Sequence, residues 1–292
     1  MSENMARTPD HIKQATDLIL KLRPVYSSLL GFYEKIFSAQ EASKSQLNID
    51  PITISEELLE TKAKEKFSLI SISDFLIDID VSTALFEKIC AITAQANGNL
   101  AESADTMKNL MNSNQLNPEK LFSALINNGE DCFEKAASDF NLDKKVLAFI
   151  TYNSIKPSLT TCAEQLASYL GKDTEWGKGY CPICGSSPGL SVFQGEGERF
   201  LICSFCWHKW SAKRIYCPFC DNRNTETLQY FFSEDEEEYR VDICDQCKTY
   251  IKTLDTRKTE RLIYLPLEQV ATLHLDMKAQ ESGLKSGVNL LL

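Results

Sequence analysis

Eight cysteines between Cys181 and Cys247, every one of them in a C-x-x-C pair, limit what this chain can fold into more than any other feature. The pairs are Cys181/Cys184, Cys203/Cys206, Cys217/Cys220 and Cys244/Cys247. A C-x-x-C turn sets two thiolates close enough to grip one metal ion, and two such turns complete a tetrahedral S4 shell. Four turns therefore specify two sites. The opening pairs, Cys181-Pro182-Ile183-Cys184 and Cys217-Pro218-Phe219-Cys220, carry a proline that stiffens the turn, whereas Cys203-Ser204-Phe205-Cys206 and Cys244-Asp245-Gln246-Cys247 lack it. This repeat favours sequential pairing. One site then holds Cys181, Cys184, Cys203 and Cys206, and the other holds Cys217, Cys220, Cys244 and Cys247. Gly185 supplies the positive-φ freedom that the first turn requires.

A closed S4 shell suits zinc, and it suits equally a mononuclear iron of the rubredoxin kind. It leaves no coordination position for water or substrate, which argues against metal-assisted hydrolysis. Four repeated pairs also argue against a thioredoxin-like role for any one of them. Each gap between opening and closing pairs reads as a β-hairpin. The first runs Leu190 to Phe193, turns at Gly195-Glu196-Gly197 and returns from Phe200 to Ile202; the second runs Leu228 to Phe232, turns over an acidic, solvated tip from Ser233 to Glu238 and returns from Tyr239 to Ile243. Ribbons this small bury too little apolar surface to fold unaided, so metal binding is expected to contribute much of their folding free energy.

The rest of the chain is long enough for a core of its own, with 292 residues of which 43% are hydrophobic and 25% charged. Residues 1 to about 170 read as helices. Apolar stripes run through Ile12, Ala15, Ile19 and Leu22, then after Pro24 through Val25, Leu29, Phe32 and Ile36. Glu41 to Asp50 reads as a loop, Ser55 to Lys66 as a short helix and Phe67 to Ile79 as strand or extended chain. Asp80 or Ser82 is expected to cap a helix bearing Leu85, Phe86, Ile89 and Ile92, and Asn117-Pro118 to start another. Val146, Phe149 and Ile150 mark a helix that Pro157 is expected to end and restart. Cys90, Cys132 and Cys162 sit singly on these segments and read as small buried hydrophobes. Gly171 to Gly179 reads as a linker. Beyond the cysteines, Leu254 to Arg261 reads as a polar tether and Leu267 to Gln280 as one helix with Val270, Leu273, His274 and Met277 on its apolar face.

The expected fold class is α+β: a helical domain over residues 1–176, two tandem rubredoxin-like or zinc-ribbon modules over 177–213 and 214–262, and a C-terminal helix and tail over 263–292. A net charge of -10 is opposite in sign to a phosphate-binding footprint and disfavours a nucleic-acid partner. No run approaches the ~18 apolar residues of a membrane span, and the start lacks the marks of an export signal, so a cytoplasmic protein with reduced thiols is expected. His208 follows the second cysteine pair and need not ligate where the thiolate set is full. Lys209, Lys213 and Arg214, interleaved with Trp207, Trp210 and Tyr216, read as a link packing the two ribbons and as part of a partner-facing surface; the competing reading is a stacking platform for single-stranded nucleic acid. No Gly-rich phosphate loop, nucleophile elbow or H-E-x-x-H is found, and no catalytic constellation is expected.

Taken with Lys156-Pro157, Trp176, Gly185 to Pro188, Arg199, Trp210, Arg214, Lys248 to Lys252, Ala271 to Asp276 and Gly287 to Leu290, the cysteine pattern resembles that of the formate dehydrogenase accessory protein family, FdhE. It departs from that pattern at His208-Lys209, where a Thr-Glu pair is expected. The resemblance implies a helical N-terminal domain, two rubredoxin-like modules associated with iron, no activity of its own, and the catalytic subunit of formate dehydrogenase as partner. Against this assembly or quality-control factor stand two alternatives, a zinc-ribbon protein that binds nucleic acid and a rubredoxin-type electron carrier.

Overall fold

The computed structural model of the chain describes residues 8–171, 176–233 and 236–288. Its first half is a cluster of helices: α1 (Pro9–Leu22), α2 (Ser27–Lys44), α3 (Glu56–Glu65), α4 (Ile79–Thr93), α5 (Asn99–Asn112), α6 (Pro118–Ile126), α7 (Glu130–Phe140) and α8 (Lys144–Leu166). Side chains satisfy the orphan amides at several starts, as the Asn117 carbonyl accepts from the Glu119 N–H at 2.9 Å and the Asp143 carboxylate from Lys145 at 2.8 Å. The cap of α4 is Asp78, not Asp80 or Ser82. Helix α2 continues to Lys44, four residues into the segment expected as loop.

Helix α8 is buried on nearly every side and forms the axis of this half. Pro157 does not interrupt it. A proline strips the carbonyl four residues earlier of its helical donor, here that of Asn153. The Gln40 side chain supplies the replacement, donating from Nε2 to the Asn153 carbonyl at 2.8 Å and to the Asn153 side chain at 3.0 Å.

No strand forms over Phe67 to Ile79; a 3-10 turn at Ile72–Asp74 lies there instead. This stretch spends its backbone on the cysteine region. The Leu69 N–H donates to the Pro182 carbonyl at 2.8 Å and the Ile70 N–H to the Ile183 carbonyl at 2.9 Å. The expected linker partly falls at 172–175, outside the described residues; beyond it, Gly179 lies so close to the third cysteine turn that a Cβ would come within 1.8 Å of the Pro218 carbonyl oxygen.

Each ribbon has three strands, one more than a hairpin. The first comprises β1 (Pro188–Gln194), β2 (Glu198–Cys203) and β3 (Lys209–Ala212), the second β4 (Leu228–Phe232), β5 (Tyr239–Cys244) and β6 (Thr249–Asp255). They form one sheet in the order β3-β2-β1-β6-β5-β4, with β7 (Lys285–Ser286) beside β6. The seam is parallel, with Ser191, Val192 and Phe193 opposite Thr253, Leu254 and Asp255. Arg199, buried beside this seam, donates from Nε to the Ser191 hydroxyl and from a terminal nitrogen to the Tyr216 carbonyl, both at 2.9 Å, and lies 3.5 Å from Asp242.

The C-terminal segment is two short helices, α9 (Leu265–Ala271) and α10 (Leu273–Glu281), broken at Thr272, whose hydroxyl bonds the Glu268 carbonyl at 2.8 Å. The break splits the expected apolar face: Val270 stays buried, but the part beyond Thr272 turns outward. Leu273 and Met277 are 41% and 62% exposed, while Leu275 and Ala279 pack against Tyr239, Val241, Tyr250 and Leu254. The acidic tip is not wholly solvated either. Glu236 pairs with Arg23 at 2.7 Å and with His274 Nε2 at 2.8 Å, clasping the helical half to the second ribbon and α10; Glu234 and Asp235 lie outside the described residues.

Candidate metal centres

The four C-x-x-C turns are copies of one loop. The first cysteine N–H donates to the carbonyl five residues on, Ser186 for Cys181, His208 for Cys203 and Asn222 for Cys217, at 2.8–2.9 Å. The residue after each second cysteine is left-handed: Gly185 (φ 76°), Trp207 (62°), Asp221 (57°) and Lys248 (56°). Only the first is a glycine, so three of the turns accept a penalty of roughly 1–2 kcal/mol each to close.

These loops bring the thiols together as sequential pairing requires, with Cys181, Cys184, Cys203 and Cys206 in one group and Cys217, Cys220, Cys244 and Cys247 in the other, the sulfurs of each lying within 4.8 Å of one another. In the first group Cys184 Sγ is 3.5 Å from Cys203 Sγ and 3.6 Å from Cys206 Sγ, and Cys181 Sγ is 3.7 Å from Cys206 Sγ. In the second, Cys217 to Cys247 is 3.7 Å and Cys220 to Cys244 is 3.6 Å. A disulfide needs about 2.05 Å. A tetrahedron with metal–sulfur bonds of about 2.3 Å has edges of about 3.8 Å, so both groups fit one four-coordinate ion.

The first group is fully buried. Burial pushes the Cys181 and Cys206 thiols up, so a cation is what would let this set ionise. N–H groups already face it: Phe205 and Cys206 each donate to Cys203 Sγ at 3.4 Å. Tyr152 of α8 reaches in from the helical half. Its hydroxyl donates to the Phe205 carbonyl at 2.8 Å and accepts from the Trp207 indole at 3.2 Å. The second group is looser, with Cys220 and Cys247 half-buried. Burial opposes ionisation of Cys244, but the Asn222 amide, donating to its sulfur at 3.4 Å, and backbone N–H groups outweigh it and bring the thiol to about 7.

None of the three histidines joins either group among the described residues. Burial holds the His208 imidazole down at about 4, His11 Nε2 meets the Ile263 carbonyl at 3.2 Å, and His274 lies between Tyr26 and Glu236. Cys90 and Cys162 are buried, whereas Cys132 is only half-buried. The rings of the aromatic link turn inward, while Lys213, Arg214 and Ile215 between them stay exposed. Trp210 and Tyr216 are 5% and 4% exposed and both bond the Lys178 carbonyl, while Trp207 turns toward Tyr152 with Lys156 Nζ 4.1 Å from its ring centre. Tyr152, Asn222 and the Leu69-Ile70 strap carry no signal in the sequence that ties them to the cysteines.

A helical half joined to two four-cysteine ribbons fused edge to edge defines a rubredoxin-like or zinc-ribbon protein of α+β class. The description "FdhE, central domain" matches residues 180–214 and "FdhE, C-terminal domain" residues 215–292. The Protein FdhE homolog of Aquifex aeolicus is 26% identical over 265 residues, covering 89% of this chain and 86% of that protein. Protein FdhE of Escherichia coli K12 is 33% identical over 115 residues, which are 38% of this chain and 36% of that one. The crystal structure of the FdhE protein from Pseudomonas aeruginosa aligns with a TM-score of 0.64 at 19% identity, over 98% of this chain and 97% of that one. Residues 180–292 thus match the two FdhE family descriptions, and over most of its length the chain is similar to FdhE proteins in sequence and in fold.

Proposed function

We propose that this FdhE-like chain is a cytoplasmic accessory factor without catalytic activity of its own, which binds the catalytic subunit of formate dehydrogenase and holds one metal ion, iron or zinc, in each four-cysteine group. The observation that carries the reading is the closure of both groups. Four thiols at tetrahedral spacing fill the shell of one ion, so a bound ion would cross-link the turns and offer substrate no position. Each ribbon then becomes a rigid surface element, and recognition is the work left to it. On this reading the chain divides at 176, 213 and 262. No helix among the described residues is long and apolar enough to cross a membrane.

The inward packing of Trp207, Trp210 and Tyr216 removes the support for a nucleic-acid platform. The half-exposure of Cys220 and Cys247 favours one second reading, electron transfer through the second site, which a reversible one-electron couple would establish. The decisive test captures the purified catalytic subunit on the immobilised protein and assays formate dehydrogenase in a deletion strain. Capture of the subunit and loss of enzyme activity with the transcript intact are expected. Normal activity with no capture overturns the assignment.

A further inference from the structure

We propose that the outer edge of β4, with the arginines gathered over Phe193, is a docking strip for an extended acidic segment of a protein client. The client's identity rests on the function proposed above; the strip's own chemistry rests on an open strand edge, two exposed rings and a cluster of guanidiniums. Strand β4 ends the sheet, and among the described residues no strand pairs with its outer side. Its outward N–H and C=O groups are a template for an added strand. Such edges are ordinarily blunted by charge, proline or a covering element. Here Tyr230 and Phe232 stand 58% and 49% exposed instead, two residues apart and so on one face, with their rings stacked 6.2 Å apart.

Cations continue the row inward. The Arg240 guanidinium lies 4.9 Å from the Tyr230 ring centre and 4.6 Å from that of Phe193. Arg214 and Arg257 each lie 5.8 Å from the Phe193 ring centre, and both crowd over Gly197, where an added Cβ would meet them at 3.2 Å and 2.8 Å. Carboxylates only partly balance them. Arg257 has Asp255 at 2.7 Å, and Asp242 answers Arg240 at 2.9 Å and Arg199 at 3.5 Å at once. Arg214 is exposed and has no carboxylate partner among the described residues. Three guanidiniums thus gather over Phe193 in a chain whose net charge is -10, and the acidic tip that follows Phe232, with Glu236 to Glu238, flanks them at the end of β4.

An extended acidic peptide meets all three features, giving its backbone to β4, its apolar side chains to Tyr230 and Phe232, and its carboxylates to the guanidiniums. A second copy paired through β4 would set two arginine clusters against each other. A nucleic acid would gain nothing from the strand edge and would be repelled by the rest of the molecule.

The test measures fluorescence anisotropy of the full-length protein with a labelled twelve-residue peptide alternating Glu with Val and Thr, its Lys-for-Glu counterpart, and a single-stranded DNA 20-mer. The acidic peptide is expected to bind, the basic one not. Arg214→Glu, which disturbs no ion pair, should weaken binding about five- to tenfold, Tyr230→Ala/Phe232→Ala at least as much, and Lys13→Glu on α1 not at all. Equal binding by all variants overturns the strip, as do tighter binding of DNA and a solution dimer that Tyr230→Ala/Phe232→Ala dissolves. Purified formate dehydrogenase catalytic subunit separates the two proposals. Equal capture by native protein and Arg214→Glu refutes the strip alone; no capture by native protein refutes the function, and the acidic peptide then decides the strip by itself.

Discussion

Replacing Tyr152 by Phe removes one oxygen and probes how firmly the helical half holds the first cysteine group. That hydroxyl donates to the Phe205 carbonyl at 2.8 Å and accepts from the Trp207 indole at 3.2 Å, inside the turn that carries Cys203 and Cys206. Without it a partly buried carbonyl and a partly buried indole N–H lose their partner. Each such loss costs about 1–3 kcal/mol, and with partial relaxation the sum is about 2 kcal/mol. At 1.4 kcal/mol per factor of ten, that opens the turn about thirtyfold more often. Metal transfer from the loaded protein to a chromophoric chelator reads this directly, with a Cys217→Ala/Cys220→Ala background to isolate the first site. In that background the first site should release about thirtyfold faster, with all cysteines present the second should keep its rate, and the Tm should fall by about 4–8 °C. Unchanged release together with an unmoved Tm would refute the claim that α8 buttresses the turn.

Three other outcomes are expected from the same geometry. Cys181→Ala/Cys184→Ala should halve the bound metal and free the Leu69-Ile70 strap, which hydrogen exchange detects, while most helical circular dichroism survives; global unfolding would contradict helices that stay folded without the first ribbon, with which they share one apolar core. Lys248→Gly should raise stability by up to about 1 kcal/mol in a denaturant titration, because it lifts a left-handed penalty and gives up only the exposed pair with Asp245. Burial, with Asp276 alongside, pushes the Tyr250 phenol up to about 12, so the folded state keeps a proton that the unfolded chain surrenders near 10. That contribution is complete below pH 10 and is lost between about 10 and 12, and a Tyr250→Phe variant should show a shallower alkaline decline.

The cysteine grouping was legible because spacing and the proline alternation are local, and a C-x-x-C turn admits one geometry. The left-handed residues behind Cys206, Cys220 and Cys247 were not, since Trp207, Asp221 and Lys248 advertise no such conformation. Helix positions followed from apolar spacing, but Pro157 misled because its rescue by Gln40 comes from another helix. Strands β3 and β6, and the seam of β6 with β1, escaped notice because short runs after a closing turn carry little period of their own. The apolar face given to the last helix failed on a single residue. Once Thr272 breaks the helix, positions counted across the break no longer share a side.

The parallel seam joins the first strand of the cysteine region to the last, and this sets an order of assembly during synthesis. The first ribbon is complete once Ala212 has left the ribosome, yet the β1 edge stays open until Thr253 to Asp255 exist to cover it. Closure then spans the whole second ribbon, a non-local contact of the kind that forms late. A chain truncated before Thr249 would carry a folded first ribbon with an adhesive edge, so nascent or clipped copies are the form of this protein most prone to associate through strands.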